Sequence, residues 1–434
     1  MGTANTYSPH IHGLVKKLLR QVAHKNIRPA HPYIRKRIIN YHSPMKKVFF
    51  ILNMLLPGML YSQNSTQLIF ATYNVSMEGE NYVKRGTPGN SEQILINELA
   101  SEKNQQIRNI ARIIQTVRPD VILLNEFDYI KNPEKGAVQF IKGYLSKDQA
   151  GSRAIEYPYY YHSTVNTGQP SSYDLDNNGK MEQFGNDAWG YGNYPGQYGM
   201  VLLSRYPIDS DKVRTFQNFK WKDMPGALKP VKSDGSDWYS PGAWAQFPLS
   251  SKSHWDIPIL VAGKTVHVLA SHPTPPTFDG AEDRNGRRNH DEIRFWKDYI
   301  SGSGSYIKDD KGNSGDLPPN TAFVILGDQN ASPVEGNALS DGIKSLLADP
   351  KINSDLIPAS KGGADFTPNN IHAKNHTAFW RMRADYVLPS RFGFKVLDGG
   401  VFWPAPGEPM AGLVEKRESS SDHRLVWMKV ELNK

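Results

Sequence analysis

Apolar runs that break off at polar, chemistry-bearing residues recur along this chain. The sharpest is FVILGDQNAS at 323–332. Its apolar residues, with β-branched Val324 and Ile325, predict a short strand buried on both faces. Gly327 ends the run, because glycine lets the chain turn sharply and lets other groups come close. Asp328 and Asn330 sit two apart, so in extended chain they point the same way. A carboxylate beside a carboxamide suits a metal-bound phosphate. An Asx-type turn after a strand accounts for the same residues without any chemistry.

The pattern repeats. LIFATYNV (68–75) delivers Asn74 and DVILLNEFD (120–128) delivers Glu126. VHVLASHPTPP (266–276) delivers His272, RADYVLPS (383–390) carries Asp385, and SSDHRLVWMKVEL (420–432) places Asp422 and His423 ahead of a strand. GQYGMVLLSRYPI (196–208) adds a strand entered through Gln197 and Tyr198, and residues 257–270 read as a hairpin turning at Gly263 and Lys264. Helical spacing appears over 91–118, where Ile94, Leu95, Leu99, Ile107, Ile110, Ile113 and Ile114 recur behind the N-cap candidate Ser91. A second helix is predicted from near Asn289, with Ile293, Trp296 and Ile300 on one face, and a shorter one over 334–348. Strand, helix, strand with a functional residue at each strand end predicts a layered α/β architecture.

In this order the six motifs resemble the endonuclease/exonuclease/phosphatase superfamily, the DNase I-like, metal-dependent phosphoesterases that include nucleases, sphingomyelinases and inositol phosphatases. The resemblance runs from residue 68 to the C-terminus. It implies a four-layer α/β sandwich, two packed mixed β-sheets flanked by helices, and hydrolysis of phosphodiester or phosphomonoester bonds by in-line water attack. It also implies Mg²⁺ or Mn²⁺ on Glu126, helped by Asn74 and Asp422. Asp328 would orient or deprotonate the water, Asn330 would hold a phosphoryl oxygen, and His272 and His423 would donate to the phosphate. Asp385 would orient His423 and keep it protonated. Tyr198 stands where the superfamily places a substrate-facing residue.

Composition refines this picture. The formal charge is +8, from 51 basic and 43 acidic residues, which by itself suggests nucleic acid. Residues 1–62 carry ten of the basic residues and no acid, which leaves 41 against 43 and a body near −2. Long duplex DNA needs phosphate neutralisation along a groove, so a secreted endonuclease is the alternative to a small-ester phosphoesterase. Concentrated positive charge appears after His272, where Arg287 and Arg288 are candidates to clamp a phosphate or to pair with Glu282, Asp283 and Asp291. Residues 216–253 are rich in Trp, Pro and Gly and read as an insertion packed on the core or lining a cleft.

YDLDNNGKMEQFGND (173–187) holds Asp174, Asp176, Asn178 and Gly179 at the spacing of the first half of a calcium loop. Gly185 stands where that loop needs a bidentate Glu, so Glu182 or Asp187 would have to supply the charge. A separate structural Ca²⁺ and a solvated acidic turn are both open. A non-catalytic, calcium-stabilised binding protein on the same scaffold is the reading of another class. The absence of cysteine excludes a thiolate zinc site. Loop histidines His372 and His376 read as solvated.

MKKVFFILNMLLPGMLYSQ (45–63) has a positive start, a short apolar stretch interrupted by Pro57 and a small-residue exit, the pattern of a secretory signal peptide. It is shorter than the about 20 apolar residues a membrane span needs. The expected organisation is a basic extension at 1–44, whose start is a candidate for mis-assignment, a signal peptide at 45–63 and one catalytic domain at 64–434. The mature protein is expected secreted or periplasmic, monomeric and without a stable membrane span, acting on a phosphorylated substrate: a small ester, a head group or nucleic acid.

Overall fold

The computed structural model describes residues 65–84, 87 and 91–433. The expected extension and signal peptide lie outside them. Eleven strands form two sheets among the described residues. The first sheet has the order β10 (Phe394–Val401), β11 (Val426–Leu432), β1 (Thr66–Met77), β2 (Val121–Phe127), β4 (Met200–Ser204), β3 (Tyr159–His162). The second has the order β5 (Arg214–Thr215), β6 (His254–Val261), β7 (Lys264–Ser271), β8 (Ala322–Asp328), β9 (Asp385–Pro389). Parallel pairs β1–β2 and β7–β8 sit among antiparallel neighbours, so both sheets are mixed.

β1, β2 and β11 face β8 and β9. Strand alternation sorts the side chains. Val324 and Leu326 of β8 join the core between the sheets. Phe323 and Ile325 turn the other way, into a second core. That second core packs helix α5 (Arg284–Ser301) through Ile293, Trp296 and Ile300, and α6 (Asp341–Leu347) through Ile343 and Leu346. On the outer face of the first sheet lie α1 (Glu92–Ser101) and α2 (Gln105–Val117). The result is the four-layer sandwich that the resemblance implies. Short helices α3 (Ala137–Phe140), α4 (Pro241–Gln246) and α7 (Lys361–Phe366) decorate the connections, with the shared chain order giving α3 before α4, α5, α6 and α7. Among the described residues no helix is long and apolar enough to cross a membrane.

Three local expectations are corrected. The helix expected over 91–118 is two, because Glu102 takes a left-handed conformation (φ 52°) and caps Leu99, while Asn104 caps the next helix by accepting from Ile107 N–H. The spacing from Leu99 to Ile107 continues the helical period and hides this break. The helix expected from Asn289 starts at Arg284, so the arginines belong to its first turns and not to a loop. The β6–β7 hairpin turns on Ala262 (φ 49°) and Gly263 (φ 78°), one residue earlier than expected, as a two-residue turn with positive φ requires. The aromatic insertion is core: Phe216, Trp221 and Phe247 are buried with α5.

Candidate active site

Strand direction explains why distant motifs meet. β1, β2, β7 and β8 deliver their C-terminal ends to one end of the sandwich, carrying Asn74, Glu126, His272 and Asp328. β9 and β11 run antiparallel to their neighbours and deliver their N-terminal ends there, carrying Asp385 and the Asp422–His423 pair. Gly327 makes the closest approach possible: a Cβ on it would lie 2.0 Å from the Ser271 carbonyl oxygen of β7.

Asp328 is the hub. Its Oδ2 accepts from Asn74 Nδ2 at 3.1 Å, across the two sheets, and lies 3.4 Å from His272 Nε2 and 3.5 Å from His423 Nε2. His423 Nδ1 is 2.9 Å from Asp385 Oδ2, which also accepts from Thr377 Oγ1 at 2.6 Å. Glu126, His272 and Asp328 each offer a ligand atom within 4.8 Å of the others, as do Asp328, Asp385 and His423. Asn330 N donates to Asp328 Oδ1 at 2.9 Å, and Asn330 Nδ2 donates to the Pro273 carbonyl at 3.1 Å. Asn330 has φ 51°, so it does not continue the strand beside Asp328; its position is set by the turn. Ser76, Glu126 and Tyr198 also have positive φ, at 47°, 55° and 59°. Such backbone is rare outside glycine and gathers at functional sites.

Charge is divided between the two histidines. Burial opposes charge on His423, but Asp385 and Asp328 outweigh it and hold its pKa up to about 10. Burial pushes His272 down to about 4, helped by the positive charge of Lys252. At neutral pH His423 is the cation and His272 the neutral imidazole. Asp328 is buried, yet the two histidines and Asn74 keep it ionised, well below the usual carboxylate range.

The expected metal ligands fit a hard cation. Burial and the neighbouring negative charge of Asp422 push Glu126 up to about 7. Crowded carboxylates of this kind are relieved by a divalent ion. Asp422 Oδ1 accepts from Ser76 Oγ at 2.9 Å and its Oδ2 pairs with Arg417 at 2.9 Å, each oxygen keeping a lone pair free. Asn74 Oδ1 accepts from Ser76 N at 3.1 Å. The donors are oxygens, which suits Mg²⁺ or Mn²⁺.

Several supporting residues carried no sequence signal. Asn125 Oδ1 accepts from Thr72 Oγ1 at 3.1 Å and from Asp328 N at 3.3 Å, joining the sheets below the hub. Asp128, two residues beyond Glu126, holds Gly79 N, Tyr194 OH and Tyr198 N. Glu292 of α5 accepts from Ser251 N and Thr274 N, both at 2.6 Å, and so anchors the turn after His272. Trp380, half exposed, sets its ring edge-on to His423 at 4.6 Å. The phenol of Tyr198 is held up by burial and by the nearby charges of Glu78 and Glu126.

The structure separates the two arginines expected to clamp a phosphate. The Arg288 guanidinium is buried and donates to the carbonyls of Leu249 (2.9 Å), Trp189 (2.7 Å) and Pro248 (3.0 Å) over the Phe247 ring. It holds the insertion to α5, spending Nε and Nη2 on the protein's own carbonyls. Arg287 Nε donates to the Glu282 carbonyl at 3.1 Å. Arg288→Met should therefore lower stability by about 3 kcal/mol, since each buried acceptor left without a donor costs about 1–3 kcal/mol. Arg287→Met should change it by less than about 0.5 kcal/mol. Urea denaturation checks both, and an unshifted midpoint in Arg288→Met would return this side chain to the candidates for substrate contact.

In the acidic loop, Asp174, Asp176 and Asp187 offer oxygens within 4.8 Å of one another. Glu182 is exposed and gives only its backbone N–H, to Asp187 Oδ2 at 2.7 Å. Asp187, buried, takes the place expected of Glu182. Asn178 points its N–H at Asp174 and Asp176, both 3.1 Å. His376 is buried and paired with Glu335 at 3.1 Å, not solvated as expected.

Comparison with curated proteins finds no match. Among solved structures, an endonuclease/exonuclease/phosphatase from Beutenbergia cavernae is similar at 17% identity and TM-score 0.46, over 85% of this chain and 72% of that one. The human Nocturnin catalytic domain with bound sulfate is similar at 13% identity and TM-score 0.40, over 85% and 95%. A mutant beta toxin from Staphylococcus aureus with bound magnesium ions is similar at 15% identity and TM-score 0.40, over 85% and 100%. The family model of the Endonuclease/Exonuclease/phosphatase family matches residues 71–423, a span that takes in every residue of the site from Asn74 to His423, and the chain belongs to that family.

Proposed function

We propose that this protein is an exported, metal-dependent phosphoesterase that cleaves a phosphodiester or phosphomonoester by in-line attack of water. The observation that carries the reading is the convergence of Glu126, His272, Asp328 and the Asp385–His423 pair from five strand ends around one carboxylate. Export rests on the pattern at 45–63.

A divalent cation on Glu126, Asp422 and Asn74 would polarise the phosphoryl oxygen and offset its developing charge. The chain's own residues do the rest. Asp328, held ionised, accepts a proton from water or orients it for attack. His423, held protonated by Asp385, donates to a phosphoryl oxygen, where a cationic donor outperforms a neutral one. His272, kept neutral by burial, donates an N–H to a phosphoryl oxygen without adding a charge. Asn330 keeps one amide hydrogen for the same oxygen. Calcium binding at the acidic loop would draw on Asp174, Asp176 and Asp187 in place of Glu182.

A small phosphorylated ester or head group fits better than long duplex DNA. The body is near neutral, and Arg288 is committed to the protein's own carbonyls. Bis(4-nitrophenyl) phosphate should be hydrolysed with Mg²⁺ or Mn²⁺ and not with EDTA. A panel of small esters should be cleaved faster than plasmid DNA is nicked. Efficient nicking with a steep salt dependence would restore the endonuclease reading, and hydrolysis untouched by EDTA would defeat the metal-dependent one.

A further inference from the structure

His272 and His423 both stand beside Asp328, but they are held there differently. His423 is gripped through its ring, since its Nδ1 lies 2.9 Å from Asp385 Oδ2. His272 Nδ1 is buried and takes no partner among the described residues. Its other nitrogen is 3.4 Å from Asp328 Oδ2, so no second polar contact fixes the ring. Its place is set by packing and by the backbone on either side, and that backbone is held by α5.

Three side chains of α5 reach the ends of β7 and β8. Asn289, Glu292 and Trp296 stand at i, i+3 and i+7, on one face of the helix. Trp296 Nε1 donates to Ser271 Oγ at 2.9 Å, just before His272, and Glu292 Oε2 accepts from Thr274 N at 2.6 Å, two residues beyond it. Asn289 does more, because its Nδ2 donates to two carbonyls at once, that of Thr274 at 2.8 Å and that of Gln329 at 2.9 Å. The first belongs to the turn after His272, and the second directly follows Asp328. Both partners are acceptors, which fixes the carboxamide with its nitrogen toward them. Asn289 is wholly buried, and its Oδ1 takes no donor among the described residues. Asparagine is also a poor helix former. Local rules broken in this way are expected where a site has to be held in place.

We propose that Asn289 is a positioning residue: by bridging the Thr274 and Gln329 carbonyls it fixes His272 against Asp328 for the attack of water. The proposal rests on the phosphoesterase reading above. Asn289 acts through the separation of the two turns and not by touching the substrate. A misplacement of about 1 Å at the reacting groups lowers the rate by about 100-fold.

The test uses the full mature chain with Mn²⁺ and bis(4-nitrophenyl) phosphate. Asn289→Leu keeps the bulk of the side chain and loses both donors. Its kcat should fall by about 100-fold with KM nearly unchanged, at a temperature where near-ultraviolet circular dichroism shows the variant fully folded. The rise in Tm produced by Mn²⁺ should persist, because Asn74, Glu126 and Asp422 belong to other strand ends. Arg288→Met, the neighbouring change expected to lower stability, is the control and should keep the wild-type kcat. In a His272→Ala background Asn289→Leu should cost only a few-fold more, since residues that act as a unit are not additive. Should Asn289→Leu fail to fold, Glu292→Gln loosens Thr274 from the same helix face while keeping the side chain's shape, and the same kcat, KM and His272→Ala comparisons read it. A wild-type kcat in the folded variant, a matching loss in Arg288→Met, or an equal loss with and without His272 would overturn the proposal alone. A wild-type protein that cleaves no ester would instead overturn the phosphoesterase reading and this one with it.

Discussion

Glu126→Gln should erase the thermal stabilisation that Mg²⁺ or Mn²⁺ confers and, with it, phosphoester hydrolysis, while leaving the fold intact. Glu126 sits at the end of β2 with its pKa pushed up to about 7 by burial and by Asp422, against 4.5 for the free side chain. Between those values the folded, metal-free chain keeps a proton that the unfolded chain has released. Stability therefore falls as pH rises from about 4.5 to about 7. A divalent cation binds the carboxylate and displaces that proton, so its effect is largest where the carboxylate is charged. The metal-induced rise in Tm should be larger at pH 8 than at pH 5 in the wild type and close to absent at both in Glu126→Gln. Loss of several kcal/mol of charge stabilisation corresponds to about a thousandfold in kcat/KM. Thermal melts with Mn²⁺ and with EDTA, at the two pH values, decide the matter. An unchanged Mn²⁺ titration in the variant would remove Glu126 from the metal site.

Asp328→Asn should lower kcat by about 10²–10⁴-fold with little change in KM. The carboxamide keeps the shape but neither accepts the proton of water nor carries the charge between His272 and His423. It also loosens the hold on His423, whose proton is retained to about pH 10 by Asp385 first and Asp328 second. A step that needs protonated His423 slows as pH passes its pKa. The alkaline limb of kcat/KM should consequently move to lower pH in Asp328→Asn, and further in Asp385→Asn, toward the ordinary histidine value near 6.5. A pH–rate profile for the three proteins reads both effects. A limb that stays in place in Asp385→Asn would mean that another group sets it.

The layered architecture and most of the centre could be read in advance because their signals are local. A buried strand is a run of apolar residues, its end is marked by a breaker such as Gly327, and the residue displayed there is visible in the same few letters. Asn74, Glu126, His272 and Asp328 stand at such strand ends, Asp385 opens a strand and the Asp422–His423 pair precedes one, while the roles expected of them came from the family resemblance. Their convergence then follows from strand direction alone. What could not be read depends on partners far along the chain. Arg288 beside Arg287 looks like a phosphate clamp until the carbonyls of Trp189, Pro248 and Leu249 are folded around it. Glu182 and Asp187 carry equal charge, and only packing buries the second and exposes the first. The charge states are also collective. His272 and His423 are the same residue type, and one is held neutral by burial and Lys252 while the other is held cationic by two carboxylates. Sequence by itself thus determined most of the core strands and the residues displayed at their ends, because hydrophobic periodicity and turn chemistry act over a few residues. Tertiary structure alone decided which charges are buried, which are paired and which are left to face a substrate, because burial and Coulomb interactions act through space without regard to separation along the chain.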